Sequence, residues 1–353
     1  MDKKIYVTLE NGKVFEGYSF GAEKETVGEL VFATGAIDYI ETLTDPCYHG
    51  QIVAQTFPLI GNYGMIFADK ASNKCQVSAY VVREKCDKPS NFRCEGTLED
   101  YLKAQGVPAV YGIDTRELTR IIREGGVMNA AITFKPLKDT SALKSYCVKD
   151  AVQAVESGEK KTYGEGELSV ALLDFGCKDA TIDEFVRRGC KVIQLPANTS
   201  AEEILSLGVN GVVLSEGPGN PTENERAIQT VKSLLGKKPV FGVGLGHQIL
   251  ALAAGGKTKK MKYGHHGGNQ PVRNVKAGGV VITSQNHGYE VVSDSLKGIG
   301  EVTYLNVNDG SCEGVLYPSV CAIGVQFQPS TCGGPHNANV IYDEFIAMMK
   351  EEK

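Results

Sequence analysis

Ten residues, Pro239-Val240-Phe241-Gly242-Val243-Gly244-Leu245-Gly246-His247-Gln248, restrict the fold of this chain more than any others. They read as a buried strand that passes through a tight glycine turn into a helix over His247–Ala254. A turn of this kind exposes one apex residue beside helix-terminal N–H groups, and strand-to-helix hydrolases mount a nucleophile there. Here the apex is Gly244, which has no side chain. The spacing Gly242-x-Gly244-x-Gly246 also invites a dinucleotide reading. That fingerprint needs a further glycine at position 247 and an acid about 20 residues on. Position 247 is histidine and no Asp or Glu lies between Glu225 and Glu290, so a nicotinamide or flavin site is not expected.

From Leu168 onward the elbow sits in a regular rhythm. Strands are predicted at Val170–Leu173, Lys191–Gln194, Gly211–Leu214 and Val240–Val243, with helices at Ile182–Arg188, Ala201–Leu207 and Asn224–Leu235 between them. Such alternation implies a mainly parallel sheet covered by helices on both faces. Added strands are expected at Val280–Ser284, Glu301–Asn306, Glu313–Leu316 and Ile323–Phe327, and a closing helix over Ala338–Lys350. The first part of the chain is β-rich instead. Ile5–Leu9 and Lys13–Tyr18 flank Glu10-Asn11-Gly12, a hairpin signal, and Asp114-Thr115 opens a helix. The expected division is a β-rich domain over 1–136, a linker over 137–167 that includes the exposed stretch Lys160–Glu167, and an α/β domain over 168–353.

At 353 residues both domains have room for a core. A formal net charge of −5 gives no reason to expect nucleic acid or an anionic membrane as partner. No apolar run approaches the roughly 20 residues of a membrane span. The start of the chain carries no evident signal peptide, and the 10 cysteines include no Cys-x-x-Cys pair, so reduced thiols in the cytoplasm are expected. The basic run Lys257–Lys262 reads as a solvated strand edge rather than a phosphate site. Gly264-His265-His266-Gly267-Gly268 reads as a structural turn, since no carboxylate or cysteine lies nearby in sequence, and no metal is expected.

The elbow, together with Gln326-Phe327-Gln328-Pro329-Ser330, resembles the class I glutamine amidotransferases, whose motifs read Gly-x-Cys-Leu-Gly-His-Gln and Gln-Phe-His-Pro-Glu. Across nearly the whole chain the resemblance is to carbamoyl-phosphate synthetase small subunits. It is carried by Gly28–Phe32, Glu41–Pro46, Phe57–Gly64, Pro89–Arg93 and Gly112–Thr119, then by Asp174-Phe175-Gly176, Met261–Pro271, Gln285–Tyr289 and Gly334-Pro335. The resemblance implies an amino-terminal domain that docks on a large subunit and a carboxyl-terminal domain that releases ammonia from glutamine. The ammonia then meets carboxyphosphate on the large subunit, where ATP and magnesium are expected; no cofactor is expected on this chain. It also implies a glutamine pocket in which Gly217 and Leu245 offer oxyanion N–H groups. Gly35, Gly219, Gln248, Asn286, Gly288 and Tyr289 fall at substrate-contact positions of that pattern.

The departures cluster at the chemistry. Gly244 removes the nucleophile, Gln328 stands at the base position and Ser330 at the orienting acid. Glu216 and Asn220 replace an asparagine and an aspartate, Ile37 and Asp38 replace Thr-Gly, and Ala180 replaces an asparagine. A carboxamide is not a general base near neutral pH and a hydroxyl does not orient an imidazole as a carboxylate does. The expected protein is thus a small subunit without glutaminase activity, supporting ammonia-dependent carbamoyl phosphate synthesis for arginine or pyrimidine formation. Its pocket is expected to bind glutamine or an analogue if the added charges of Glu216 and Asp38 permit. Two other readings stand beside it: a regulatory paralogue that senses a small molecule, and an active enzyme with an unrecognised nucleophile, for which Cys177, Cys321 and Cys332 are the candidates.

Overall fold

The computed structural model describes residues 3–330 and 337–351. The chain divides into two compact units, 1–149 and 150–353.

The first unit contains strands β1 (Lys4–Leu9), β2 (Val14–Ser19), β3 (Thr26–Ala33), β4 (Gln51–Gln55), β5 (Leu59–Ile60), β6 (Ala79–Val81), β7 (Glu84–Lys85), β8 (Ala109–Tyr111) and β9 (Met128–Thr133). Seven of them close a barrel in the order β1-β2-β8-β6-β4-β3-β9. The predicted hairpin joins β1 to β2, with Gly12 at φ 87° supplying the left-handed residue of its turn. Asp114 caps the helix Thr115–Gly125 by accepting a hydrogen bond from the Glu117 N–H at 3.0 Å. The barrel and its helices enclose a core that includes Val31, Tyr39, Val53, Tyr80 and Leu102.

The second unit contains β10 (Lys161–Tyr163), β11 (Leu168–Asp174), β12 (Cys190–Pro196), β13 (Gly211–Leu214), β14 (Val240–Val243), β15 (Thr258–Asn274), β16 (Val280–Val291), β17 (Glu301–Asn306), β18 (Cys312–Tyr317) and β19 (Ala322–Val325). They form one sheet in the order β10-β12-β11-β13-β14-β19-β18-β16-β15-β17. β12, β11, β13, β14 and β19 pair in parallel, and β10 and the β18-side strands pair antiparallel. Both faces of the parallel part are covered. Ala171 and Leu173 of β11 pack in one cluster with the helices Glu225–Leu234 and Leu245–Ala253. Val170 and Leu172 pack on the other face with Phe185, Tyr342 and Phe345, from the helices Asp179–Arg187 and Val340–Glu351. That burial on both sides is why the strands read as continuous apolar runs.

Three expectations change. Over 160–167 the chain is exposed, but Lys161–Tyr163 is an edge strand that pairs with β12. The histidine tract is no turn; it runs inside the 17-residue strand β15, because register shifts after Lys260 and Gly267 let its glycines follow a bulged ladder. Gln285–Tyr289, whose polar, compact sequence after an apolar strand reads as a loop, likewise lies within strand β16.

Glycines decide how closely the elbow packs. A Cβ on Gly246 would lie 2.2 Å from the Leu214 carbonyl oxygen, and one on Gly242 2.7 Å from the Gly246 carbonyl oxygen. Gly246→Ala is expected to destabilise the chain by about 1–3 kcal/mol or more through overpacking. Gly279→Ala, whose Cβ meets nothing within 4 Å, should fall within about 0.5 kcal/mol of the parent. Urea unfolding of the two variants checks this, and equal midpoints would refute the steric account.

Candidate functional site

The elbow stands at the carboxyl ends of the parallel strands, where open α/β sheets place ligands. β14 ends at Val243, Gly244 takes φ 55° and ψ −113°, and the helix begins at Leu245, two residues earlier than the sequence suggests. Two hydrogen bonds hold the turn: Gly244 N–H donates to the Val325 carbonyl at 2.9 Å, and Gly246 N–H to the Ser215 carbonyl at 3.0 Å. Leu245 opens the helix, so its N–H has no acceptor one turn back within the helix. The apex conformation is one that side chains rarely adopt, and the nearest atom to a Cβ built there is Glu216 Cβ at 3.3 Å. The backbone therefore has the course of a nucleophile elbow, and its apex, Gly244, carries no side chain. The same packing accounts for the Gly-x-Gly-x-Gly spacing without any dinucleotide.

The segment after β19 brings Gln328 and Ser330 to this end of the sheet. Gln328 N–H donates to the Ser284 carbonyl at 2.9 Å. Its side-chain Oε1 accepts from Lys178 Nζ at 2.6 Å, and Lys178 is only 1% exposed. Ser330 Oγ lies 3.1 Å from Thr181 Oγ1 and 3.0 Å from the Tyr342 hydroxyl. Thr181 Oγ1 also donates to Glu216 Oε1 at 2.9 Å, and the Lys178 backbone N–H donates to the same oxygen at 3.0 Å. The three altered motif positions thus border one buried network of Lys178, Thr181, Glu216, Gln328, Ser330 and Tyr342. Lys178, Thr181 and Tyr342 were not singled out in the sequence. Lys178 follows the Asp174-Phe175-Gly176 motif by two residues, which is the one local signal that marks it.

The implied pocket residues are placed unevenly. Gln248 is buried, and its Nε2 donates to the Tyr289 carbonyl and to Gln326 Oε1, both at 2.8 Å, fastening the elbow helix to β16. Asn286 Oδ1 lies 2.8 Å from His266 Nδ1 across the β15–β16 ladder. Gly288 faces open space, and Tyr289 next to it is half-buried. Gly217 packs against the Phe175 carbonyl and Leu245, while exposed Gly219 turns at φ 89°. Gly35 belongs to the first unit, where its carbonyl accepts from Gln55 Nε2 at 2.5 Å.

His247 is fully buried with no partner on either ring nitrogen, and burial pushes its pKa down to about 3. Cys321 precedes β19 next to Ala322, which pairs with Val240, so it lies at the opposite end of the strands from the elbow. Cys177 is at the elbow's end of the sheet, its Sγ donating to the Lys178 carbonyl at 3.3 Å. Cys332 lies outside the described residues. All described cysteines are free thiols.

The histidine tract also departs from expectation. His265 Nε2 is 2.9 Å from Asp309 Oδ2, and its Nδ1 is 3.3 Å from Glu313 Oε1, so two carboxylates do lie beside it. They are more than 40 residues away in sequence, and β17 and β18 fold them back onto β15. Burial opposes a charge on His265, but its bonds to Asp309 and Glu313 outweigh that and raise its pKa to about 9.

The helix-covered parallel sheet with its strand-to-helix elbow is the arrangement expected of a class I glutamine amidotransferase domain. Residues 171–348 match that family, and residues 7–132 match the carbamoyl-phosphate synthase small chain, CPSase domain. The chain is 47% identical to the carbamoyl phosphate synthase small chain of Clostridium perfringens, over 97% of this chain and 99% of that one. It is 46% identical to that of Bacillus caldolyticus, over 99% and 97%, and 44% identical to that of Fusobacterium nucleatum, over 96% of each. This chain belongs to the carbamoyl-phosphate synthase small chain family.

Burial raises the Glu216 carboxyl above its ordinary range, against the opposing pull of the Lys178 charge and of the bonds donated to it. The folded chain then holds a proton that the unfolded chain has lost, so this group costs stability increasingly as pH rises above about 4.5. Glu216→Gln removes that dependence. Its stability relative to the parent is expected to grow with pH, by at most about 1.4 kcal/mol per unit. Urea unfolding across pH would show parallel curves if the Glu216 carboxyl were unperturbed.

Proposed function

We propose that this small chain no longer hydrolyses glutamine and instead supports ammonia-dependent carbamoyl phosphate synthesis by a large subunit. The observation that carries the reading is the apex: an intact elbow backbone with glycine where a thiolate must stand. Gln328 is no substitute base, since its carboxamide oxygen is already bonded to the Lys178 ammonium. Loss of nucleophile and base together costs on the order of a millionfold in a comparable hydrolase. The vestigial pocket, with an acidic side chain at Glu216 buried beside the elbow, is a poor seat for an oxyanion, because ionisation of that carboxyl would oppose the developing charge.

Pairing with a large subunit, which would carry ATP and magnesium, is supported by the family match over 7–132 and by the surface of the first unit. Phe92 is 96% exposed, and the Arg93–Asp69 ion pair brings its segment beside exposed Phe67. Exposed aromatic side chains of this kind mark interaction surfaces. Cytoplasmic placement fits the same reading; among the described residues no helix is long and apolar enough to cross a membrane.

The test is carbamoyl phosphate formation by this chain with its large subunit, comparing ammonium chloride with glutamine as nitrogen donor. Synthesis is expected from ammonium alone, and comparable synthesis from glutamine would reveal a nucleophile elsewhere and overturn the proposal. Phe92→Asp is expected to weaken co-purification with the large subunit by roughly tenfold or more, the loss typical of an aromatic anchor. Unchanged association would move the docking surface away from Phe92.

A further inference from the structure

Strands β15, β16 and β18 bring together one nitrogen of His265, one of His287 and a carboxylate oxygen of Glu313, all within 4.8 Å of one another. All three residues are more than nine-tenths buried. We propose that these residues form a structural site for a divalent transition-metal ion, best suited to zinc, which ties the three antiparallel strands together.

The hydrogen bonds around the cluster support this reading beyond mere proximity. His265 Nε2 is engaged by Asp309 Oδ2, which turns Nδ1 toward Glu313. His287 Nδ1 is 2.8 Å from the Tyr289 carbonyl, an acceptor only, so this nitrogen carries the proton and Nε2 presents its lone pair inward. A carboxylate on one histidine and a backbone carbonyl on the other are the outer partners that orient metal-binding imidazoles.

Two inward groups lack what a purely hydrogen-bonded core would supply. Glu313 is fully buried, and its Oε2 has no hydrogen-bond partner. The Nε2 lone pair of His287 faces Gln285 Oε1 at 3.0 Å, acceptor against acceptor. A second contact favours this orientation of the Gln285 amide. Its Nε2 donates to Thr283 Oγ1, and that hydroxyl already donates to the Gln270 carbonyl. A cation between these groups satisfies the orphan carboxylate oxygen, the imidazole lone pair and the Gln285 oxygen together. Two imidazoles and a carboxylate, with a further oxygen beside them, match the donor set zinc takes. Asp309, the outer partner of His265, lines a cavity of about 540 Å³ together with Gly264, Gly310 and Ser311.

The experiment uses the full chain produced without an affinity tag that binds metal, stripped with chelator and dialysed against zinc. Elemental analysis is expected to find one tightly held zinc per chain, a higher thermal midpoint with zinc, and loss of both in Glu313→Gln. Asp309→Asn, at a half-exposed side chain, should fold and hold zinc about 10–100-fold more weakly, as outer-partner variants do. It therefore carries the test if Glu313→Gln does not fold. Cobalt in place of zinc should give a visible tetrahedral spectrum that Glu313→Gln lacks and that Asp309→Asn reaches only at higher cobalt concentration. A stripped parent that takes up no more zinc than Asp309→Asn, with no midpoint shift, would show an ion-paired core and end the proposal.

Discussion

The second unit depends on how closely the elbow helix approaches the sheet. Backbone hydrogen bonds from Gly244 and Gly246 reach the carbonyls of Val325 and Ser215, on the segments either side of β14. Those bonds form only because positions 242 and 246 carry no Cβ, as their contacts at 2.7 and 2.2 Å show. The elbow therefore fixes the spacing of β13, β14 and β19 at their carboxyl ends, and with it the place where the glycine loop at 215–219 meets the segment at 326–330. These glycines serve packing, whatever the apex carries. That separation is why the scaffold does not depend on a side chain at 244.

Around the altered motif positions lies a set of side chains that satisfy one another. A buried lysine needs an acceptor or an opposite charge. Lys178 has the carboxamide of Gln328 through its ammonium, and the carboxylate of Glu216 lies close enough to feel its charge. Thr181 links Glu216 to Ser330, and Tyr342 closes the chain from the last helix. Glutamine and serine at 328 and 330 are then more than losses of histidine and glutamate. They are the partners that this lysine, threonine and tyrosine require. Substitutions in one such network couple energetically, and their effects do not add.

The sequence made visible what depends on local periodicity and on motif spacing. Continuous apolar runs at 170–173, 211–214 and 240–243 announce strands buried on both faces, and the Asn11-Gly12 pair announces a hairpin. The elbow was legible because its glycines and its apex are contiguous. What lay hidden depends on contacts made at long range. Lys178 reaches Gln328 across 150 residues, and Asp309 reaches His265 across 44. Reading outward from the histidines finds no acid nearby, since the chain supplies one only after β17 turns back along β15. A glycine-rich tract also looks like a turn when nothing local reveals that bulges carry it through a long strand.

The apex geometry explains why glycine suits position 244 and why placing a side chain there is not a one-residue matter. A side chain held at φ 55° and ψ −113° sits in a sparsely populated region and costs on the order of 1–3 kcal/mol. That strain is useful only while the side chain does chemistry. Glycine at 244 removes it, and the close approach survives because it belongs to 242 and 246. A cysteine returned to 244 would bring back the strain and place its Cβ 3.3 Å from that of Glu216. It would also face a position 328 whose side chain is bonded to Lys178 rather than poised to take a proton. The cost of such a substitution therefore lies in the surrounding network as well as at the apex.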